Sequence, residues 1–482
     1  MAPSLLLTDG YKFSMAEAGW PLRTETFHYV HRKGGAQVVP FDIESELRAL
    51  LPSAASGDYD FLDANEYEMG VGFKTAIAQH DRLRVRALPE GAMFFPGEPV
   101  FTVTGPSALV SWMEPLVLQL HYRFQIAALG LRDPEALAAA VATVTCNEQR
   151  ELVERTLVSL GVRPPAMKVD SDGYRNRVRE KVRELKTVVG DLSRVFEVGL
   201  RSASCPRQHE LALEACREEG ITRTSNAEGA RKFGMVPVGT MGHEHVMRYG
   251  SDLEAFRAIK ERRPYRSSFL LDTYDTLISG IPAAFQLMKE SPEAGDSIRY
   301  DSGDKLSQYF YAVARAKELG LRPVHILEDA FNTELTRKFE EMRVMVGWGP
   351  NEQFYGYGGH LVAETAGSPL TRDRVAAVYK LSMTAGEPTM KFAHASGKRS
   401  IPGCPVVWRR RHVSGPVGII GQEGEEPPEG YFVLTGSMPE RPSLVNADAL
   451  EREHVLTLSP QTQKIADTLY RRHFPNGDLH AS

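Results

Sequence analysis

The second part of the chain, after Pro164-Pro165, alternates short apolar or β-branched runs with amphipathic stretches, and this alternation constrains the fold most strongly. Strand-like runs cover residues 269–272, 297–301, 323–329 and 344–347. Stretches of helical character lie between them, at residues 305–319 and 332–343, and are long enough for crossovers. Strands that alternate with helices predict βα units, and therefore an α/β fold with a parallel sheet or barrel.

Three of these runs end in an acidic residue, namely Asp272, Asp301 and Asp329. In parallel α/β barrels the polar residues at the carboxyl ends of the strands form the active site. One acidic strand end carries little information. Three in succession predict a site that faces one mouth of the barrel.

The length of 482 residues predicts at least two domains, because a single hydrophobic core rarely grows beyond about 250–300 residues. We expect residues 1–145 to form an N-terminal α/β domain and residues 146–404 to form the barrel. In the N-terminal part we expect strands at 25–32 and within 83–110, and helices at 111–129 and 134–160. In the tail we expect a strand at 430–434 and a helix at 459–473.

Composition and charge exclude several classes of protein. A net charge of −5 and a pI near 6.3 argue against non-specific binding of nucleic acid. The sequence has no run of about 18 apolar residues, so we expect no membrane span. The opening MAPSLLLTDGYKF lacks the basic region of a signal peptide. The cysteines show no C-x-x-C spacing, which predicts neither a zinc site nor a disulfide framework and indicates a reducing cytoplasm. They are Cys146, Cys205, Cys216 and Cys404.

The segment from Ile298 to Asp304 places two carboxylates around a Ser-Gly pair at the end of a predicted strand. Carboxylate oxygens suit Mg²⁺, and a glycine lets backbone N–H groups approach an anion such as phosphate. An acidic turn that caps a helix beginning near Asp304 is the alternative interpretation.

A histidine motif, Gly-Thr-Met-Gly-His-Glu-His, follows an apolar run and contains Thr240, His243, Glu244 and His245. Small residues before His243 leave room for a ligand or for a covalent modification of the ring, and a neighbouring carboxylate can fix its tautomer. Metal binding by the two histidines and a buried structural histidine are the alternatives.

Several other segments carry polar groups that suit a binding site. Arg201 ends an apolar run, and its planar guanidinium fits a carboxylate or a phosphate. Thr224-Ser225-Asn226 offers neutral hydrogen bonds, or an N-cap, which is the commoner use of such a triplet. Gly347-Trp348-Gly349 predicts a backbone-exposing loop after a strand. The basic run of Lys380, Lys391, Lys398 and Arg399 is typical of a solvated face.

Taken in this order, the motifs resemble those of the nicotinate phosphoribosyltransferase family and its nicotinamide-specific relatives. They span residues 8–403 and read TDGYK, EVGLR, TSN, GTMGHEH, LLDTYDT, IRYDSGD, GWG, VYKL and KRSIPG. The resemblance implies an irregular type II phosphoribosyltransferase α/β barrel and a second α/β domain built from both chain ends, so that residues 405–482 pack on residues 1–145.

The same resemblance implies an activity. A phosphoribosyl group would pass from phosphoribosyl pyrophosphate (PRPP) to nicotinate, giving nicotinate mononucleotide and pyrophosphate in NAD salvage. Mg²⁺ would be the metal cofactor, and ATP would be a co-substrate that acts through a phosphohistidine. The protein would work as a cytoplasmic homodimer with shared active sites.

The resemblance also implies roles for particular residues. His243 matches the histidine that ATP phosphorylates, with Glu244 beside it, and Asp301 matches the carboxylate that serves ribose and Mg²⁺. Tyr11 would reach across to the pyridine ring of the partner subunit, and Arg32 would lie near the pyrophosphate. The other expected substrate-binding residues are Arg201, Ser225, Asn226, Thr240, Arg299, Asp272, Asp329, Gly347, Gly349 and Lys380.

Three positions depart from the family pattern. Val198 stands where an aromatic residue is expected to stack on the pyridine, a contact normally worth about 1 kcal/mol beyond burial. Ser202 stands where a second arginine is expected, which removes one partner for a carboxylate. Glu328 stands where a serine is expected, and brings a negative charge towards the product phosphate.

The triplet at 224–226 favours nicotinate over nicotinamide, because an acidic residue there would accept from the amide and repel the acid. Nicotinamide phosphoribosyltransferase is the alternative, and Ser202 favours it. A mononucleotide-binding sensor without turnover is disfavoured by the presence of His243 and Asp301. A Schiff-base lyase or aldolase is disfavoured because the strongest runs end in Asp and not in Lys.

Overall fold

The computed structural model describes residues 2–293, 295–363, 368–392, 399–410, 417–434, 444 and 454–475. The strands in these ranges are β1 (Thr24–His31), β2 (Gln37–Val38), β3 (Arg84–Ala87), β4 (Met93–Phe94), β5 (Pro99–Pro106), β6 (Thr143–Val144), β7 (Lys168–Val169), β8 (Val195–Glu197), β9 (Arg223–Thr224), β10 (Val236–Pro237), β11 (Ser268–Leu270), β12 (Ser297–Tyr300), β13 (Val324–Leu327), β14 (Gln353–Tyr357), β15 (Ala377–Thr384), β16 (Glu387–Pro388), β17 (Pro405–Arg410), β18 (Val417–Gln422), β19 (Tyr431–Val433) and β20 (Val455–Leu458).

The α-helices surround these strands. They are α1 (Tyr11–Glu17), α2 (Ile43–Ala49), α3 (Ser56–Ala64), α4 (Val71–Ala78), α5 (Ser107–Trp112), α6 (Glu114–Gln119), α7 (His121–Arg132), α8 (Pro134–Val141), α9 (Asn147–Ser159), α10 (Ser171–Val189), α11 (Pro206–Glu218), α12 (Ala227–Phe233), α13 (His243–Tyr249), α14 (Asp252–Arg262), α15 (Ile281–Glu290), α16 (Lys305–Leu319), α17 (Thr333–Val346), α18 (Gly359–Val362), α19 (Arg372–Val375) and α20 (Pro460–His473). In the described ranges, none of the helices combines the length and the apolar character needed to cross a lipid bilayer.

Seven parallel strands form the sheet that carries the predicted strand ends. Their order is β10-β9-β8-β14-β13-β12-β11, and every neighbouring pair is parallel. Helix α16 connects β12 to β13, and α17 connects β13 to β14, as parallel pairing requires. The predicted α/β fold with a parallel sheet is therefore confirmed, and β11, β12 and β13 overlap three of the predicted runs.

The fourth predicted strand, at residues 344–347, is wrong. Residues 344–346 are the end of α17, and Gly347 terminates the helix with a left-handed φ of +81°. The apolar run gave a misleading signal because Val344 and Met345 are 67% and 75% exposed. They lie on the solvent face of an amphipathic helix, whose buried stripe is formed by other residues.

A five-stranded antiparallel sheet forms in the N-terminal part, in the order β16-β15-β1-β5-β3. Strand β1 confirms the strand predicted at 25–32, and β3 and β5 confirm strands within 83–110. Strand β15 comes from residues expected in the barrel, yet it pairs with β1 from Glu25 opposite Thr384 to His31 opposite Ala377. The domain boundaries at 145 and 404 stay predictions.

The C-terminal strands form a four-stranded sheet in the order β19-β17-β18-β20. Arg409 of β17 donates a hydrogen bond to Glu98 at 2.5 Å, and the ring of His454 stacks on Phe95 at 4.4 Å between centroids. Helix α20 confirms the helix predicted at 459–473, and its Tyr470 packs against Phe392. The tail therefore contacts both the N-terminal region and the segment that follows β16.

Candidate active site

The loops after β11 and β12 bring His243, Asp272 and Asp301 together at the carboxyl edge of the parallel sheet. His243 is the first residue of α13, Asp272 follows β11, and Asp301 follows β12 directly. The Nε2 atom of His243 lies 3.1 Å from Oδ2 of Asp301 and 3.7 Å from Oδ1 of Asp272. Three of the predicted site residues thus form one cluster at the predicted mouth.

A lysine completes this cluster. The Nζ atom of Lys391 lies 2.9 Å from Nε2 of His243 and 3.0 Å from Oδ2 of Asp272, and Lys391 is only 4% exposed. The interpretation of its basic run as a solvated face is therefore wrong for Lys391, whereas Lys398 lies outside the described residues. The signal in the sequence is that Lys391 stands between apolar Met390 and Phe392, both buried.

The charge state of the cluster follows from its burial. Burial and the charge of Lys391 lower the pKa of His243 to about 4, so the ring is neutral at physiological pH. Its Nδ1 atom lies 3.1 Å from Oγ1 of Thr273. Burial disfavours the Asp301 carboxylate, but the hydrogen bond with His243 and the charge of Arg299 hold the pKa of Asp301 well below its ordinary value. The site combines a neutral imidazole, an ionised acid and a lysine.

Arg299 and Thr240 approach the cluster from β12 and from the loop before α13. The Arg299 guanidinium donates a hydrogen bond to Oγ1 of Thr240, and its Nε lies 3.8 Å from Oε2 of Glu328. Burial raises the pKa of Glu328, and Arg299 opposes this effect. The unexpected acid at position 328 is thus paired with a cation, which offsets its repulsion of a phosphate.

A second cluster forms where residues 9–12 cross the carboxyl ends of β9 and β10. The crossing brings backbone against backbone: a Cβ on Gly10 would lie 2.6 Å from the carbonyl oxygen of Val238, and one on Gly239 would lie 2.3 Å from the amide nitrogen of Tyr11. The amide of Gly10 also donates to the carbonyl of Ser225 at 2.6 Å. Two glycines are therefore required for this close approach.

Arg201 is the cation of the second cluster. Its Nε lies 3.3 Å from Oδ2 of Asp9, its Nη1 lies 3.9 Å from Oε1 of Glu114, and its guanidinium carbon lies 5.6 Å from the centroid of the Tyr11 ring. Burial opposes the charge of Arg201, but Tyr11, Asp9 and Glu114 raise its pKa well above the ordinary value. Asp9 and Glu114 are functional candidates that the sequence did not single out, although Asp9 lies in the TDGYK motif.

Glu244 belongs to the second cluster and does not contact the ring of His243, contrary to its expected role beside that histidine. Its Oε1 atom accepts hydrogen bonds from Lys12 at 2.9 Å and from Ser111 at 2.5 Å. Adjacent residues on a helix point in different directions, and His243 and Glu244 begin α13. Thr273 is the residue that contacts Nδ1 of the histidine instead.

Tyr11 lies in the site of its own chain. It is 7% exposed, and its hydroxyl donates to Oε2 of Glu114 at 2.8 Å. Tyr11 therefore contacts Glu114 and Arg201 of its own chain, and its reach to the pyridine ring of a partner subunit stays a prediction. Its position beside Arg201 supplies an aromatic ring to a site that lacks one at Val198.

The Ser225-Asn226 pair is engaged in local contacts. The hydroxyl of Ser225 donates to Oδ1 of Asp9 at 2.6 Å. The Oδ1 atom of Asn226 accepts from the backbone amides of Glu228 and Gly229 at 3.1 and 3.2 Å, and so caps α12. Its Nδ2 lies 3.0 Å from a ring nitrogen of His209. Asn226 therefore fulfils the capping role that was the alternative in the sequence.

Lys380 and Arg32 lie on the neighbouring strand pair of β15 and β1, with Arg32 directly after β1. Burial lowers the pKa of Lys380 to about 8, and the charge of Glu114 opposes this shift. Burial and the charge of Arg372 lower the pKa of Arg32 to about 10. Lys380 interacts electrostatically with both Glu114 and Asp301, so it lies between the two clusters.

Three predicted residues stand apart from these clusters. Asp329 is an exposed residue of the loop after β13. Gly347 and Gly349 precede β14, at the amino edge of the sheet, where Trp348 donates to the carbonyl of Pro323 just ahead of β13. The structure does not bring the two glycines to the carboxyl edge. Their placement in the site came from the resemblance, and the strand predicted at 344–347, which is helix, had supported it.

The curled parallel sheet, with acids and a buried histidine at its carboxyl edge, defines the class: an enzyme with the type II phosphoribosyltransferase fold. A solved nicotinate phosphoribosyltransferase from Porphyromonas gingivalis has the same fold, with a TM-score of 0.60 at 19% identity over 83% of this chain and 96% of that one. The predicted fold class is confirmed by this likeness.

Sequence comparison extends the likeness to the particular family. The nicotinate phosphoribosyltransferase pncB2 of Mycobacterium tuberculosis is 27% identical over 497 aligned positions, which cover 96% of this chain and 90% of that protein. The nicotinate phosphoribosyltransferase of Bos taurus is 26% identical over 362 positions, which cover 71% and 63%. No protein-family model matches the chain. The predicted resemblance to the nicotinate phosphoribosyltransferases is confirmed, and with it the prediction of a transferase enzyme.

Proposed function

We propose that this protein transfers the phosphoribosyl group of PRPP to nicotinate in NAD salvage, and that ATP assists through a phosphate carried by His243. The observation that carries the proposal is the contact of a neutral His243 with Asp301 and Lys391, at the carboxyl edge of this sheet. The names of the relatives, across bacteria and mammals, support phosphoribosyl transfer.

The transfer step develops positive charge on the anomeric carbon and negative charge on the departing pyrophosphate. Asp301 is the ionised acid proposed to face the sugar. Arg299, Lys380 and Arg32 are the cations proposed to hold the pyrophosphate. The lone pair of the pyridine nitrogen forms the new bond as the carbon–oxygen bond breaks, and the pyrophosphate leaves with that electron pair. No proton moves, so this step needs no general base.

The phosphohistidine step requires a lone pair on a neutral imidazole. In the tautomer whose Nδ1–H donates to Thr273, Nε2 gives up its hydrogen bond to Asp301 and carries the lone pair, which faces Lys391. Attack of Nε2 on the γ-phosphorus of ATP would break the bond to the bridging oxygen, and ADP would leave with that electron pair. Lys391 is then positioned to meet the phosphoryl oxygens. Glu244 takes no part in this step.

Asp272 and Asp301 are the residues whose chemistry fits Mg²⁺. Carboxylate oxygens are ligands that this ion prefers, and the three groups of the first cluster, including His243, have ligand atoms within 4.8 Å of one another. The Oδ1 atom of Asp272 is buried and accepts no hydrogen bond from the part of the chain that the structure describes. When bound, the ion would neutralise charge on the phosphate oxygens.

Arg201 is the proposed partner of the nicotinate carboxylate, with the Tyr11 ring beside the pyridine. Nicotinamide is the second candidate substrate, because Asp9 and Glu114 already balance the charge of Arg201. A neutral amide loses less hydration free energy than a carboxylate when it moves from water into a site whose charges are already balanced. The absence of a second arginine at Ser202 favours the same candidate.

A paired assay tests the proposal. The protein is supplied with PRPP and Mg²⁺, and turnover of nicotinate is compared with that of nicotinamide, each with and without ATP. We expect turnover of nicotinate that ATP increases. Turnover of nicotinamide alone would select the second candidate, and no turnover of either would refute phosphoribosyl transfer to a pyridine.

The role of His243 is tested separately. His243→Ala is expected to abolish the stimulation by ATP and to leave some turnover without ATP. His80→Ala, in the turn that precedes β3, is the matched control and should keep the stimulation. Equal stimulation in the His243 variant and the wild type would remove the phosphohistidine from the mechanism.

The homodimer and the cytoplasmic location remain part of the same proposal. Tyr11 is the group that the proposal expects to be shared between subunits. Light scattering on the purified protein tests the assembly: a mass of about twice the 53.5 kDa of one chain is expected, and the mass of a single chain would refute the homodimer.

A further inference from the structure

Two cysteines outside the site, Cys146 and Cys205, lie against each other in the core. Their Sγ atoms are 3.6 Å apart, and the residues are 4% and 1% exposed. Each cysteine stands directly before a helix of 13 residues, α9 or α11. The N-terminus of a helix favours a thiolate, because the unpaired amides and the helix dipole stabilise negative charge.

The two cysteines lie in equivalent local structures. The sequence around the start of α9, residues 145–149, reads Thr-Cys-Asn-Glu-Gln, and that around the start of α11, residues 204–208, reads Ser-Cys-Pro-Arg-Gln. The Gln149 side-chain oxygen accepts from the amide and the hydroxyl of Thr145 at 2.6 and 2.9 Å, and that of Gln208 accepts from the same groups of Ser204 at 2.6 and 2.9 Å. Two matching caps therefore fix the sulfur atoms face to face.

We propose that Cys146 and Cys205 form a thiol-oxidation site that reacts with a hydroperoxide and closes to an intramolecular disulfide. The Cys146 thiolate attacks one peroxide oxygen, the O–O bond breaks, and hydroxide or alkoxide leaves to take up a proton. The sulfenic acid formed is attacked by Cys205, the S–O bond breaks, and water leaves. Two thiols are oxidised by two electrons, and one peroxide is reduced to water and an alcohol or a second water.

The surroundings of the pair support this order of events. The contact with Cys205 lowers the pKa of Cys146 to about 7, although burial and Glu148 oppose the shift. The same contact and burial raise the pKa of Cys205 well above its ordinary value. Cys146 is therefore the thiol that reacts first. Gln149, Ser204 and Gln208, the residues of the two caps, line a small cavity next to the pair.

Closure of the bond reaches the active site through α11. A disulfide is about 2.05 Å long, so the sulfur atoms have to approach by about 1.5 Å. Helix α11 begins at Pro206, shortly after the turn Leu200–Ser202 that carries Arg201. A misplacement of about 1 Å in a substrate-positioning group can cost about a hundredfold in rate. We expect oxidation to lower kcat/KM by about tenfold or more, an effect that rests on the proposed function.

Peptide mapping tests the site without any activity assay. The whole protein is treated with hydrogen peroxide, its remaining thiols are blocked with N-ethylmaleimide in denaturant, and the non-reduced digest is analysed by mass spectrometry. We expect the Cys146 and Cys205 peptides to be joined, two hydrogen atoms lighter than their sum, and to be separated by dithiothreitol. Cys404→Ser should keep the cross-link, and Cys146→Ser should lose it.

The outcomes separate the site from the proposed function. The site would be overturned if N-ethylmaleimide still alkylated both Cys146 and Cys205 of the wild-type protein after the peroxide had oxidised Cys404. It would also be overturned if either of the two cysteines were oxidised irreversibly and no cross-link formed. If Cys146→Ser does not fold, the peptide map of the wild-type protein alone decides whether the two cysteines form a disulfide. A cross-link with unchanged turnover would overturn the link to Arg201. A protein that is inactive before oxidation refutes the phosphoribosyl transfer and leaves the map valid.

Discussion

Lys391 holds the buried carboxylate of Asp272, so its replacement tests whether the charges of the first cluster stabilise one another. Asp272 and Lys391 are 5% and 4% exposed. In Lys391→Met, the hydroxyl of Ser302 is the one donor left to Oδ2 of Asp272 among the residues that the structure describes. Removal of one partner of a buried ion pair costs about 3–5 kcal/mol. Because the carboxyl group can take up a proton, we expect the lower end, a loss of about 3 kcal/mol in the free energy of unfolding near pH 8.

The loss should shrink in acid. In the wild type burial opposes ionisation, but Lys391 and His243 keep the pKa of Asp272 below its ordinary value. A lowered folded-state pKa gives stability that is present above the unfolded pKa and is lost as the pH falls through the folded one. In the variant burial acts without the lysine and raises the pKa of Asp272, so the buried charge disappears at a higher pH. The two proteins should differ less at pH 5 than at pH 8.

Urea unfolding followed by tryptophan fluorescence at both pH values measures this difference. The matched control is Lys338→Met, because Lys338 pairs with Glu334 at 3.0 Å but the two side chains are 60% and 74% exposed. Such surface pairs contribute about 0.3–0.5 kcal/mol. A loss of less than about 1 kcal/mol for Lys391→Met at pH 8, or an equal loss at pH 5, would refute the reasoning.

Three further predictions concern single positions. Lys380 has a pKa of about 8 and loses its charge above that pH. The KM for PRPP should therefore rise from pH 7 to pH 9 in the wild type and stay constant in Lys380→Arg. Parallel pH profiles of KM in the two proteins would contradict this. Asn226→Ala should cost about 1–2 kcal/mol in urea unfolding through loss of the α12 cap, and a changed ratio of nicotinate to nicotinamide turnover would argue for a specificity role instead. Gly347→Ala should cost about 1–2 kcal/mol because its φ is positive; a fall in kcat/KM at unchanged stability would return Gly347 to the site.

The parallel sheet was predictable because its signals are local. The alternation of apolar runs and amphipathic helices predicted both ends of α16, and an acid at the end of each of two apolar runs pointed to Asp272 and Asp301. The error at Val344 arose because an apolar pair on the exposed face of a helix resembles a short strand. Only the burial of the rest of α17 distinguishes the two.

The partners within the site were not predictable, because they depend on contacts between distant parts of the chain. Lys391 meets His243 across 148 positions, and Lys12 meets Glu114 across 102. No periodicity encodes such pairs. A motif can therefore place His243 in the cluster and still assign its neighbour Glu244 to a different partner from the one it contacts, since the direction of each side chain is set by the packing of α13.

The crossing of residues 9–12 over the sheet has a consequence for synthesis of the chain. Asp9 leaves the ribosome early, but its partner Ser225 follows 216 positions later. At about 5–20 residues per second, the opening segment waits roughly 10–45 s before the strands that receive it have been made. During that time the carbonyls of Leu6 and Thr8 lack their final partners, the amides of Glu228 and Ala227, which donate to them at 2.8 and 3.1 Å in the finished protein. Residues 9–12 are thus made well before the strands that receive them, and the second cluster cannot form until residues 225–239 have been made.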